Sequence, residues 1–203
     1  MQCLASIERV RERAWPVVWV AACSCLLVVA ESNVGAAQSE SAGFDIRDAK
    51  THLARGVYLL DADVEYDFSR RAIDAIENGV PVTVILEMNV ERLRGPLWNE
   101  QIAHVEGRYR IETQALSKTY MVRNLGSGES RSFASLDDLV AELGRIRDFP
   151  LIDAHLLEAD ENYVLQLRAL LDIESLPSPM RPLAYLSSLW RLKSDWYEWP
   201  IER

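Results

Sequence analysis

The sequence predicts an antiparallel β-sandwich, or a strongly twisted sheet folded over itself, closed by two short-to-medium helices. Three observations carry that expectation. Between Val80 and Arg94 the even positions Val80, Val82, Val84, Leu86, Met88 and Val90 are apolar, and of the odd ones only Ile85 joins them before Leu93. The same period of two runs through Val57 to Phe68 and through Glu100 to Leu116. About nine such segments follow at short spacing with only two helical stretches among them, too few helices to cross over between parallel strands. Strands that wet one face must bury the other under a second layer. A half-open barrel is the alternative architecture.

Phe44 to Leu53 is a weak first strand, its alternation blurred by Asp48 and Lys50, and Arg55-Gly56 makes the turn. In Val57 to Phe68, Tyr58, Leu60, Ala62, Val64, Tyr66 and Phe68 face in while Asp61, Asp63, Glu65 and Asp67 face out. Ser69 caps a helix through Glu77 that buries Ala72, Ile73 and Ile76, and Asn78-Gly79 supplies its exit. The chain then enters the Val80 strand, broken at Gly95-Pro96.

Glu100 to Leu116 places Ala103, Val105, Tyr109, Ile111 and Ala115 on one face. Gly107 falls in that inward row, which predicts a bulge or a close backbone approach. Thr119 to Leu125 is a strand, Gly126 to Glu129 a turn, and Ser130 to Ala134 the return. Ser135 opens the second helix with Asp138 three residues on. Its stripe is Leu136, Leu139, Val140, Leu143 and Ile146, with Arg145 and Arg147 at the C-terminal end and Phe149-Pro150 as the stop.

Leu151 to Leu157 and Tyr163 to Ile173 read as a hairpin. Leu176 to Pro182, with three prolines, reads as an extended connector. Leu183 to Leu189 adds a helical turn, and Trp190 to Trp199 is a last strand. Neither an internal repeat nor a second domain is evident in residues 44–203.

The chain has 203 residues, 49% of them hydrophobic and 26% charged, with a net charge of −9 and a pI near 4.9. That length suffices for one domain with a sizeable core. The acidity opposes a phosphate-tracking nucleic-acid binder, and also docking on anionic lipid through charge. Cys3, Cys23 and Cys25 are the only cysteines, so residues 26–203 hold no thiolate chemistry and no internal disulfide.

Residues 1–37 have the parts of a secretory signal or an N-terminal anchor. Arg9, Arg11 and Arg13 precede an apolar run over 14–30, and small residues follow at Val34 to Ala37. Three fates are open, ranked in this order: cleavage after Ala36 or Ala37, retention of 14–30 as a tether to the inner membrane, and acylation at Cys23. Each places the body outside the cytoplasm, in the periplasm. Residues 38–43 are a short polar linker.

Glu77 to Pro81, Tyr109-Arg110-Ile111, Ala115-Leu116, Phe133 to Leu136 and the ending Leu189-Trp190 to Trp199-Pro200 together resemble a family of exported Gram-negative bacterial proteins, domain of unknown function 4390. The resemblance spans roughly residues 44–200. It implies no activity, cofactor or catalytic residue, and it implies a membrane sensor kinase of the nitrogen-regulation type as a candidate partner.

The residues themselves carry little chemistry. Asp61 to Asp67 mimics a calcium loop, but Tyr66 stands where the turn demands glycine and Ala72 where a bidentate glutamate belongs. His52, His104 and His155 fall on three different predicted strands without metal-ligand spacing. Asp153 and His155 share a predicted strand face, with no nucleophile-elbow serine near them. Gly126-Ser127-Gly128 lacks the lysine and helix of a phosphate loop. No catalytic residue, metal ligand or cofactor is therefore expected.

Aromatic residues are the informative surplus. Trp190, Trp196 and Trp199 crowd the C-terminus, and Trp98 lies between the two longest strands. Strand parity predicts Trp190 and Trp196 inward, and Tyr197 and Trp199 outward. Trp98, Tyr197 and Trp199 are thus the candidate partner contacts. The expected function is a non-enzymatic periplasmic module that binds another envelope protein. Carriage of an apolar or lipid-like ligand in a sandwich cavity is the alternative, and hydrolysis through Asp153 and His155 ranks last.

Overall fold

The computed structural model describes residues 42–95, 98–114 and 116–201. The expected signal or anchor, Cys23 and most of the linker lie outside the described residues. In chain order the domain runs β1 (Gly43–Ala54), β2 (Val57–Asp67), α1 (Arg70–Glu77), β3 (Val82–Arg92), β4 (Glu100–Gln114), β5 (Thr119–Asn124) and β6 (Ser130–Phe133). It continues with α2 (Leu136–Leu143), β7 (Arg145–Asp153), β8 (Tyr163–Leu171), α3 (Arg181–Leu186) and β9 (Tyr197–Pro200).

Two antiparallel sheets result. One has the order β1-β2-β7 and the other β6-β5-β4-β3-β8-β9. Their inner rows merge in one core, with Leu60 and Ala62 of the small sheet buried together with Leu86, Ile111, Leu165 and Leu167 of the large one. The fold is a β-sandwich, and its sheets do not close into a barrel.

β2 keeps the alternation its sequence predicts, inward residues buried and Glu65 and Asp67 exposed. Ser69 caps α1 by accepting the Ala72 amide, and Ser135 caps α2 by accepting the Asp138 amide. Gly107 of β4 is buried opposite β7: a Cβ there would stand 3.2 Å from both the Phe149 and Tyr109 rings. The register is regular at this glycine, so neither a bulge nor a backbone approach occurs, and its missing side chain instead leaves room for two aromatic rings.

β3 departs from simple alternation. Its first five residues are all buried, Thr83 and Ile85 included, because β4 and β8 flank it and the 3-10 turn Ile173–Ser175 packs beside its start.

The 145–157 region is the main correction. The second helix ends at Leu143, and Arg145, Ile146 and Arg147 belong to β7, which pairs with β2. The Gly144 carbonyl accepts the Val64 amide at 2.9 Å, so β2 captures the chain at the helix exit. β7 carries irregularities opposite Tyr58/Leu59 and Leu60/Ala62, and these disguise its period. Nor do 151–157 and 163–173 form a hairpin. β7 joins the small sheet, whereas β8 joins β3 and β9 in the large one.

The C-terminal connector is more folded than its prolines suggest. The Met180 amide donates to the Pro177 carbonyl, and α3 is a third helix. The predicted last strand shrinks to β9 at 197–200. Leu192 and Ser194 still bond to β8 through Leu171 and Ala169, but the Ser194 hydroxyl takes the Ala169 amide. That side-chain bond interrupts the ladder before β9 begins.

Candidate functional site

Each sequence-predicted contact residue has a definite place. Trp98 stands in the loop between β3 and β4, 89% exposed. The hairpin below it is braced by charge. Arg92 reaches Glu100 through Nε at 2.9 Å and through a second nitrogen, and Glu158 at 2.8 Å. Arg94 also pairs with Glu100, and the Asn99 amide donates to Glu91 at 3.0 Å. The Arg92 hydrogen bond, then the charges of Arg92 and Arg94, hold the Glu100 carboxyl below the usual carboxylate range. A large aromatic side chain is thus carried next to a hairpin end cross-linked by charge.

Tyr197 and Trp199 do not join it. In the β8–β9 register they sit opposite Leu167 and Leu165, on the core face, and both are half-buried against the core. Glu198 between them faces outward and accepts the Gln166 amide at 2.7 Å. Trp196 is outside too, 37% exposed, with the Arg168 guanidinium 4.3 Å above its ring. Trp190 is buried as expected, on a 3-10 turn over 188–190. The predicted parity is therefore inverted for Trp196, Tyr197 and Trp199, because the interruption at Ser194 resets the alternation.

The acidic row of β2 is engaged by basic side chains from both neighbouring strands. Arg47 of β1 pairs with Glu65, and Arg147 of β7 pairs with Asp63 at 2.7 Å. Beside them the His52 ring lies between two carboxylates, Nδ1 3.6 Å from Asp61 and Nε2 3.3 Å from Asp148. Asp148 arrives from the β7 bulge with φ 52°, its amide donating to Asp61 at 3.0 Å. One oxygen or nitrogen from each of the three lies within 4.8 Å of the others. Each imidazole nitrogen faces a different carboxylate, so side chains of three strands meet at one point. Sequence spacing could not reveal it, because Asp148 comes from a strand read as helix.

On the outer face of the large sheet, His104 contacts Asn89 at 2.7 Å and Glu106 at 3.2 Å, and Arg108 holds Glu106 and Asp172. The Arg108 hydrogen bond, then that of His104, lowers the Glu106 pKa. Asp153 and His155 leave their predicted shared strand face: the first ends β7 and the second lies in a 3-10 turn, both exposed.

Two of the openings among the described residues have apolar lining near exposed side chains. A mouth of about 290 Å³ between β7 and β4–β5 has Tyr109, Val122 and Phe149 as its floor and Arg131, Glu142 and Arg145 on its rim. A groove of about 560 Å³ lies between α1 and α3, lined by Arg71, Ala75, Val80, Met180, Leu183 and Trp190. Above that groove Leu183, Tyr185, Leu186 and Leu189 are exposed, a concentration of apolar surface in a segment whose prolines had suggested only a connector.

No curated protein and no solved structure matches the chain. A family model described as a domain of unknown function, DUF4390, matches residues 41–200. That span takes in both sheets and all three helices, and the chain belongs to the DUF4390 family.

Proposed function

We propose that this chain is an exported, periplasmic, non-enzymatic interaction module that binds another envelope protein through the β3–β4 hairpin tip, with a membrane sensor kinase as the candidate partner. The supporting observation is Trp98. A tryptophan 89% exposed on a hairpin braced by Arg92, Arg94 and Glu100 loses little conformational freedom when it docks. Such aromatic anchors dominate interface energies, with truncation costing at least about 2 kcal/mol, or roughly thirty-fold in affinity. Leu93, also exposed at this tip, extends the apolar contact.

The test is photo-crosslinking in intact cells with a benzophenone amino acid at position 98, and at Arg123 as control. A discrete adduct with one envelope membrane protein at 98 and none at 123 is expected, and Trp98→Ala should reduce co-purification of that protein at least tenfold. Equal adducts at both positions, or co-purification untouched by Trp98→Ala, would overturn the reading.

A further inference from the structure

We infer that the α1–α3 end of the sandwich lies against a lipid bilayer, with α3 and the turn after it inserted at the headgroup level. Leu183, Tyr185, Leu186 and Leu189 are 69%, 50%, 84% and 43% exposed. They sit on one end of the molecule, since α3 packs on the 188–190 turn and that turn packs on α1. Leucines beside a tyrosine are the composition of a surface that meets acyl chains while its polar tip stays at the headgroups.

Charge at this end suits that occupant. α1 together with residues 174–195 carries Arg70, Arg71, Arg181, Arg191 and Lys193 against four acids, a surplus of one positive charge in a chain of net −9. Among the described residues, Arg71, Arg191 and Lys193 have no carboxylate within ion-pair distance, so they are available to phosphates. The overall acidity that opposes docking on anionic lipid is thus not concentrated at this end.

The course of the chain identifies the bilayer as the occupant over a protein. Gly43 pairs with Asp67, Ala42 lines a groove with Lys193 and Asp195, and the Ser69 hydroxyl donates to the Leu189 carbonyl at 2.6 Å. The polypeptide therefore enters the domain beside the exposed leucines. Twelve residues upstream ends the apolar run 14–30, and a tether of that length spans at most about 40 Å. The inference rests on retention of that run as an anchor. β3 leads from the α1 side to the Trp98 tip, a run of roughly 33 Å for its eleven residues, so a seated domain holds Trp98 away from the membrane.

The test uses the full chain in vesicles of phosphatidylethanolamine and phosphatidylglycerol, with Cys3, Cys23 and Cys25 replaced by serine. A benzophenone reporter is attached at Leu186→Cys, or at Asn99→Cys on the hairpin tip. Lipid adducts at least ten times more abundant at 186 than at 99 are expected. Adding Leu183→Glu should bring the yield at 186 down to the tip level while circular dichroism stays unchanged, since Leu183 is exposed. Equal yields at 186 and 99 overturn the inference even if the chain floats with the vesicles. Adducts at 186 with a second copy of the chain overturn it in favour of self-association, and failure to float overturns the anchoring on which it rests. The Trp98 reading stands or falls separately, because these vesicles contain no partner protein.

Discussion

Gly144 hands its carbonyl to the amide of Val64 at 2.9 Å, while a Cβ at Gly144 would collide with the carbonyl oxygen of that same Val64. The glycine is required by this contact and not by its backbone angles, which are ordinary right-handed helical ones with φ −71°. The end of α2 and the middle of β2 are locked at this point.

Gly144→Ala should therefore cost about 1–3 kcal/mol, the range for overpacking a closed site. Gly128→Ala is the comparison. Gly128 has φ 77° and open space around its Cα, so alanine there costs about 1–2 kcal/mol by left-handed strain alone. Urea unfolding of both variants checks the two origins. Asparagine, which tolerates the left-handed region, should recover part of the loss at 128 but worsen the loss at 144, where the obstacle is the Val64 carbonyl.

The register of β9 reverses the roles that parity gave the C-terminal tryptophans. Trp199→Ala should destabilise by about 2–3 kcal/mol, somewhat below the cost of emptying a fully enclosed aromatic site. Trp196→Ala should cost about 0.5–1 kcal/mol, the contribution of its contact with Arg168. The Trp199 indole nitrogen is buried without a hydrogen-bond partner. Trp199→Phe should consequently retain more stability than Trp199→Ala by a clear margin. Equal midpoints for Trp196→Ala and Trp199→Ala in chemical denaturation would contradict the register.

Tyr66 lies in the core against Phe44 and Phe68, its hydroxyl buried and unpartnered. Removing an unsatisfied buried hydroxyl relieves a desolvation penalty, so Tyr66→Phe should raise stability by about 1 kcal/mol. Burial, reinforced by Tyr109, pushes the Tyr66 phenol well above its ordinary range. A raised folded-state pKa gives stability that is complete below the unfolded value near 10 and is lost as pH climbs above it. The Phe variant should thus lose less stability between about pH 10 and 12 than the parent, as read by denaturation midpoints.

Long strands with one apolar row were legible because a period of two leaves an unmistakable trace in β2 and β4. Caps were legible at Ser69 and Ser135 because their chemistry is local. What escaped notice depends on partners far away in sequence. Ile146 continues the i+3 spacing from Leu143, and only capture of Gly144 by Val64 turns the next residues into strand. The Trp196–Trp199 parity failed because one serine hydroxyl, Ser194, replaced a ladder bond to Ala169. The His52–Asp61–Asp148 meeting needed β7 beside β2. The α3 leucines were visible as residues, but their exposure depends on which face α1 and the 188–190 turn leave uncovered.

Arg92 is the residue on which the hairpin tip depends. Its guanidinium joins Glu100 of β4 to Glu158 of the loop before β8, and its side chain is only 15% exposed. Glu100 titrates below its ordinary range because Arg92 and Arg94 stabilise its charged form. A lowered folded-state pKa gives a contribution that is present above the unfolded value of about 4.3 and fades as pH falls through the folded one. The protection factor of the Leu93 amide, which donates to the Asn162 carbonyl, with the intrinsic pH dependence of exchange divided out, should therefore be high at pH 6 and fall below about pH 4, ahead of β8. Arg92→Ala should give the acid pattern already at pH 6 and weaken partner capture through Trp98 without touching Trp98 itself. Glu100→Gln should make the protection factor at the tip nearly independent of pH across that window. Exchange at the tip that ignores both substitutions would mean that the hairpin stands without its charges.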